Sequence, residues 1–245
     1  MGAAEEAKRR QLDELRRRMA AIPPRGAERS EQVPTAVRSR RESLPVPAAL
    51  ESLLPDGGLA KGSVVAYTGA SSLLSGLLAA VTASGAHAAV VGLPRLGLLA
   101  AAEMGARLDR LAVVTSPGPE ALEIASVLLD GLDLVVLDLN GASIPRTRTR
   151  VLTAKARSKN STLLVTGGTW SGPALRIDTR IAGYTGLGRG CGRLRTVSLD
   201  VKVHSRSAQP RSGHLALCPD NGRLEWVETN LPTTEPMRPA RHAVS

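Results

Sequence analysis

The chain has 245 residues, 42% of them hydrophobic, a mean hydropathy of -0.04 and a formal net charge of +10. That is enough apolar content for one buried core with tails, and no apolar run approaches the ~18 residues of a membrane span. Two cysteines, Cys191 and Cys218, exclude a disulfide framework and a four-thiolate metal site, and the charged start MGAAEEAKRRQLDELRRRM has no apolar signal segment, so the chain reads as soluble and cytoplasmic.

Residues 3–21 contain strong helix formers and no Gly or Pro, and Pro23 and Pro24 stop the helix. Leu12, Leu15 and Met19 form a narrow apolar seam, either resting on the core or docking another chain. Residues 25–43 are polar and basic and read as a linker, with Arg38, Arg40 and Arg41 clustered in it. From there strands and helices alternate. Strands are expected at 63–68, 87–93, 111–115, 132–139 and 162–168. Helices are expected at 71–84, 96–107, about 119–131 and 146–159. The strand cores are almost continuously apolar, the mark of a parallel sheet covered on both faces. The fold class is therefore α/β, doubly wound.

After Gly168 the style changes. Glycines interrupt the chain, and LRIDTRIAGY, RLRTVSLDVKV and GHLALC read as antiparallel strands added at one sheet edge. A core over 44–203, further strands over 204–228 and a tail over 229–245 follow from this. The tail has three prolines and little apolar content and is expected to be disordered alone.

In such folds the turn after the first strand is the natural ligand site. Here it reads Gly69-Ala70-Ser71-Ser72-Leu73-Leu74-Ser75-Gly76. A phosphate loop needs a second glycine, a lysine and a hydroxyl in its last three positions. Leu74, Ser75 and Gly76 stand there instead, so no nucleotide cofactor is expected. The four histidines lack metal-ligand spacing, and no metal site is expected. Arg146, Arg148, Arg150, Lys155, Arg157 and Lys159 crowd one helix, as a phosphate-contacting stripe or a solvated face. Five of the 32 cations are lysines, so 27 are arginines, part of which is the signature of a GC-rich genome. The four aromatics, Tyr67, Tyr184, Trp170 and Trp226, are too few for a base-stacking platform. Trp226 and Leu224, two residues apart, are either partner anchors or a last strand closing the core.

Ahead of the first strand runs Gly57-Gly58-Leu59-Ala60-Lys61-Gly62, and further on ALEIASVLLDGLDLVVLDL. This leader, strand, loop and second-strand order resembles the start of RecA-type cores, with Asp138 at the Walker B position. Where RecA has its catalytic glutamate, this chain has Gly92-Leu93-Pro94-Arg95, and both DNA-loop positions are short. The chain resembles ImuA-type proteins of the ImuA-prime branch. That resemblance implies a non-catalytic accessory of the damage-induced (SOS) mutasome in error-prone translesion DNA synthesis. It would act with the Y-family-like adaptor ImuB and an error-prone C-family polymerase, with RecA or itself as further partners and only weak, unspecific DNA contact. The alternative is a SulA-like cell-division inhibitor, although such chains are shorter and lack so long a basic arm.

Removing residues 1–24 is expected to leave the core folded and to change oligomer mass or contact with RecA filaments. Leu12→Asp with Leu15→Asp should match the deletion, because charge is costly in an apolar seam. Light scattering and filament co-sedimentation read both, and an unchanged result for both leaves the helix merely solvated.

Overall fold

The computed structural model describes residues 42–186, 195–220 and 222–229. The 3–21 helix with Leu12, Leu15 and Met19, the basic cluster at 38–41 and the tail from 230 onward lie outside the described residues. So does Cys191.

Strand β1 (Ser43–Leu44) pairs antiparallel with β2 (Leu59–Ala60), and the one-turn helix α1 (Ala48–Glu51) lies between them in sequence. The rest of the chain builds one nine-stranded sheet. Its first five strands in sequence are β3 (Val64–Thr68), β4 (Ala88–Val91), β5 (Leu111–Val114), β6 (Leu134–Asp138) and β7 (Thr162–Thr166). They are joined by α2 (Ser71–Ala83), α3 (Leu98–Glu103), α4 (Ala121–Leu128) and α5 (Arg146–Lys159). Then come β8 (Leu175–Thr185), β9 (Thr196–Ser205), β10 (Arg211–Asp220) and β11 (Arg223–Glu228). The strand order is β11-β10-β9-β8-β3-β7-β6-β4-β5.

The five early strands pair in parallel, and β8 to β11 add an antiparallel half at one side, as the sequence pattern predicts. The seam joining the halves is itself parallel, β8 running alongside β3. A division at 203/204 falls inside β9, and β10 and β11 continue the same sheet, so residues 204–228 are part of the core rather than an appendage. The helix expected over 96–107 is only six residues long. Gly97 and Gly105 bracket it, and glycine holds a helix poorly. Pro119 sits in a 3₁₀ turn ahead of α4, not in its first turn.

Apolar residues fill both sheet faces. On one, Leu73, Leu77, Leu78 and Val81 of α2 pack with Val65, Tyr67, Ile177 and Leu217. On the other, Ala125 of α4, Leu129 just after it, and Leu152 and Ala156 of α5 pack with Val64, Val135 and Val165. Trp170 is 3% exposed within the second cluster and is a packing residue. Trp226 is 6% exposed in the first cluster, and half-buried Leu224 packs against it. Both point inward from β11 while Glu225 and Val227 alternate outward. This corrects their reading as exposed partner anchors: the last strand closes the core with them. Gly76 in α2 makes that closure fit, since a Cβ there would lie 2.6 Å from Trp226 Nε1.

Trp226→Ala is expected to cost about 3–5 kcal/mol, the range for truncating a buried aromatic. Gly76→Ala should also destabilise, although alanine is normally worth about 1 kcal/mol over glycine in a helix. Urea unfolding measures both; a stabilising Gly76→Ala would contradict the packing described.

Candidate functional site

The turn after β3 is two residues long. Gly69 (φ 110°) and Ala70 lead directly into α2, which begins at Ser71. A phosphate loop would keep its backbone amides uncoiled across the following residues. Here Ser71 to Gly76 are already helical. Leu74 and Ser75 are 3% and 2% exposed; Ser75 is turned into the core, and Leu74 presents only an apolar wall to the cleft. The sheet fills the remaining space. A Cβ at Gly69 would collide with the Thr179 carbonyl of β8. The Thr179 hydroxyl accepts the Ala70 N–H at 2.7 Å and donates to the Thr68 carbonyl at 3.0 Å. The Tyr67 hydroxyl donates to the Ala70 carbonyl. The amide that could meet a phosphate is therefore already satisfied from within the fold.

Asp138 is the last residue of β6. Its Oδ1 accepts the Asn140 N–H at 3.1 Å, and Gly167 leaves room for the carboxylate, since a Cβ there would overlap it. Beside it a cleft of about 920 Å³ opens at the C-terminal ends of the parallel strands. Its lining includes Ser71, Leu74, Arg95, Thr115, Asp138 and Asn140. This is the position at which doubly wound sheets take ligands. A magnesium nucleotide needs a cation and an amide cradle opposite Asp138, and those positions hold a buried leucine, serine and glycine. The residues present do not fit that group.

The six cations of α5 fall into two sets. Arg148 reaches Glu123 of α4 at 3.1 Å, and Lys155 and Lys159 reach Asp130, in the turn after α4, at 2.9 and 3.2 Å. Hydrogen bonds from Lys155 and then Lys159 hold the Asp130 carboxyl below the usual range. These three cations share two acidic neighbours, so that end of the stripe carries less net charge than the sequence alone suggests. Arg146, Arg150 and Arg157 have no acidic partner among the described residues. They line a groove of about 710 Å³ together with Ser171, Gly172 and Arg206.

Three contributors escaped sequence reasoning. Thr179 carried a signal: in the inward series Leu175, Ile177, Thr179 it is the one polar member. Tyr67 is buried, and burial pushes its phenol up to about 12, with hydrogen bonds to the Thr179 hydroxyl and the Leu74 backbone pulling the other way. Arg206 has no local signal, because its place in the groove depends on a turn 34 residues earlier in the chain.

The fold favours the neutral Tyr67 phenol. Its contribution is intact below pH 10, the ordinary value, and is lost as the pH rises through about 12. The loss amounts to roughly 2–3 kcal/mol. Tyr67→Phe is expected to be less stable at pH 8, through the lost hydrogen bond, yet to lack this alkaline decline. Denaturant titrations at pH 8 to 11.5 test it; parallel curves for both proteins would refute it.

Comparison with known proteins agrees with this architecture. The MT3502 N-terminal domain family matches residues 52–172. A solved KaiC-like protein of Pyrococcus horikoshii, PH0186, superposes with a TM-score of 0.50 at 11% identity. The match covers 77% of this chain and 98% of that one, a likeness of fold alone. Together with the strand order, it makes the fold RecA/KaiC-like. The uncharacterized protein Rv3395c of Mycobacterium tuberculosis is 48% identical over 174 residues, 71% of this chain and 78% of that one. With that much identity over that much of both chains, this protein belongs to the family of Rv3395c.

Proposed function

We propose that this chain is a non-catalytic RecA-fold adaptor that supports error-prone translesion DNA synthesis by binding an ImuB-type partner, and RecA or itself. The single observation that carries the reading is the closed turn after β3. Helix α2 starts where a phosphate loop would have to stay open, and Thr179 uses the turn's amide and carbonyl. A RecA-like fold without a phosphate cradle keeps the surfaces of the fold while losing the motor. The resemblance to the ImuA-prime branch supplies the setting in which such a protein works, alongside a Y-family-like adaptor and a C-family polymerase. No helix among the described residues is long and apolar enough to cross a membrane.

Trp226 and Leu224 belong to the core, so the partner surface is assigned to the terminal segments: the seam Leu12, Leu15, Met19 and the tail 230–245. In a pairwise binding assay against an ImuB-type protein, deleting 1–24 or 230–245 is expected to weaken capture at least tenfold while the unfolding midpoint stays put. Both deletions binding like the full chain would move the contact onto the folded domain. The adaptor reading itself falls if the full chain captures no ImuB-type partner.

Calorimetric titration with Mg-ATP is expected to give no binding at micromolar concentrations. Leu74→Gly, Ser75→Lys and Gly76→Thr together should not restore it. They should instead destabilise by several kcal/mol, because position 75 buries the ammonium and position 76 meets Trp226. Micromolar nucleotide binding by the natural sequence would sink the non-catalytic reading.

A further inference from the structure

Glu123 of α4 and Asp130 in the turn after it pair with cations on one side of α5 and leave the other side without an acidic partner among the described residues. Arg146, Arg150 and Arg157 are spaced i, i+4 and i+11. At 100° per residue they lie within about 40° of one another on one helix face. Eleven residues of helix span about 16 Å, the length of roughly five 3.4 Å steps along one strand of duplex DNA. All three are exposed, and none has an acidic partner among the described residues. The far wall of the groove supplies a fourth guanidinium. Arg206 donates from Nη2 to the Gly172 carbonyl at 2.6 Å. Gly172 (φ 64°) permits this, since a Cβ there would strike the same Nη2. With five donors on its guanidinium, Arg206 keeps others for a ligand.

The ligand chemistry follows from the lining. Four guanidiniums and Ser171 make a cationic groove without a large apolar side chain, while the hydroxyls of Thr149 and Thr153 in its floor donate to the Arg146 and Thr149 carbonyls within α5. A protein partner would need an apolar anchor pocket at the centre of its interface. Guanidinium forks match phosphate oxygens two at a time. No aromatic side chain lines the groove, so bases have nothing to stack on. We propose that this groove binds the phosphodiester backbone of nucleic acid, independently of sequence and without reading bases. The proposal goes beyond the adaptor reading and stands whichever protein partner the chain has.

The test is fluorescence anisotropy of the full chain on scrambled duplex and single-stranded DNA oligonucleotides across 50–200 mM salt. Each phosphate contact on a duplex contributes about 0.9 to the slope of log affinity against log salt. Arg146→Gln, Arg150→Gln and Arg157→Gln together should lower that slope by about 2.7, and Arg206→Gln alone by about 0.9. The comparison triple, Arg148→Gln, Lys155→Gln and Lys159→Gln, removes the same formal charge and should change the slope by less than 1. Single-stranded DNA should show the same ranking, with a smaller contribution per contact of about 0.7. Equal effects of the two triples would mean that net charge alone acts, and would overturn the proposal. So would absence of binding at 50 mM salt. Competition by poly-glutamate as strong as that by DNA at equal charge would transfer the groove to an acidic protein and likewise overturn it. Circular dichroism confirms that each variant is folded.

Discussion

The Thr179 hydroxyl sits between the end of β3 and the start of α2, bonded to an amide on one side and a carbonyl on the other. Both local groups are backbone, at a partly buried turn where the β8 hydroxyl takes the place of water. Satisfying them from β8 fixes where the antiparallel half docks on the parallel half, because β8 pairs with β3 over residues 65–68. Gly69 permits the contact by having no side chain to separate the two backbones. The same docking carries β9, β10 and β11 along, and ends with Trp226 seated over Gly76 of α2. One turn and one helix thereby hold both ends of the added sheet.

That arrangement has a chemical consequence. A phosphate loop works because its amides are unpaired until an anion arrives. Here the amide at the critical bend is already paired, and the residues that would supply charge lie inside a helix whose neighbours are leucines. The cleft at the strand ends persists because it is a property of strand order, while the group that usually fills it has lost its anchors. Asp138 remains at its lip, bonded locally to the Asn140 amide.

Charge is sorted by the same tertiary contacts. Glu123 of α4 and Asp130 just after it draw three cations of α5 to one side, and the end of β9 brings Arg206 to the other. A stripe of six equivalent charges in sequence becomes three with acidic partners and three without one among the described residues. Exposed ion pairs of this kind contribute little to stability. What they change is the field: one flank of the helix is nearly neutral and the other strongly positive.

The alternation of apolar strands and helices, and hence the doubly wound sheet, was legible in the sequence because strand and helix periods are local properties of the chain. So were the missing lysine and glycine of the phosphate loop, since substitution at a fixed spacing needs no coordinates. The inward and outward alternation of β11 also placed Leu224 and Trp226 on one face. It could not say what that face met. Burial against Gly76 joins positions 150 residues apart, and only the tertiary structure makes Trp226 a core residue. The partition of the α5 cations, the Thr179 plug and the place of Arg206 in the groove are of the same kind. Each depends on which distant segment lies opposite, and a side chain's charge or hydroxyl does not carry that information along the chain.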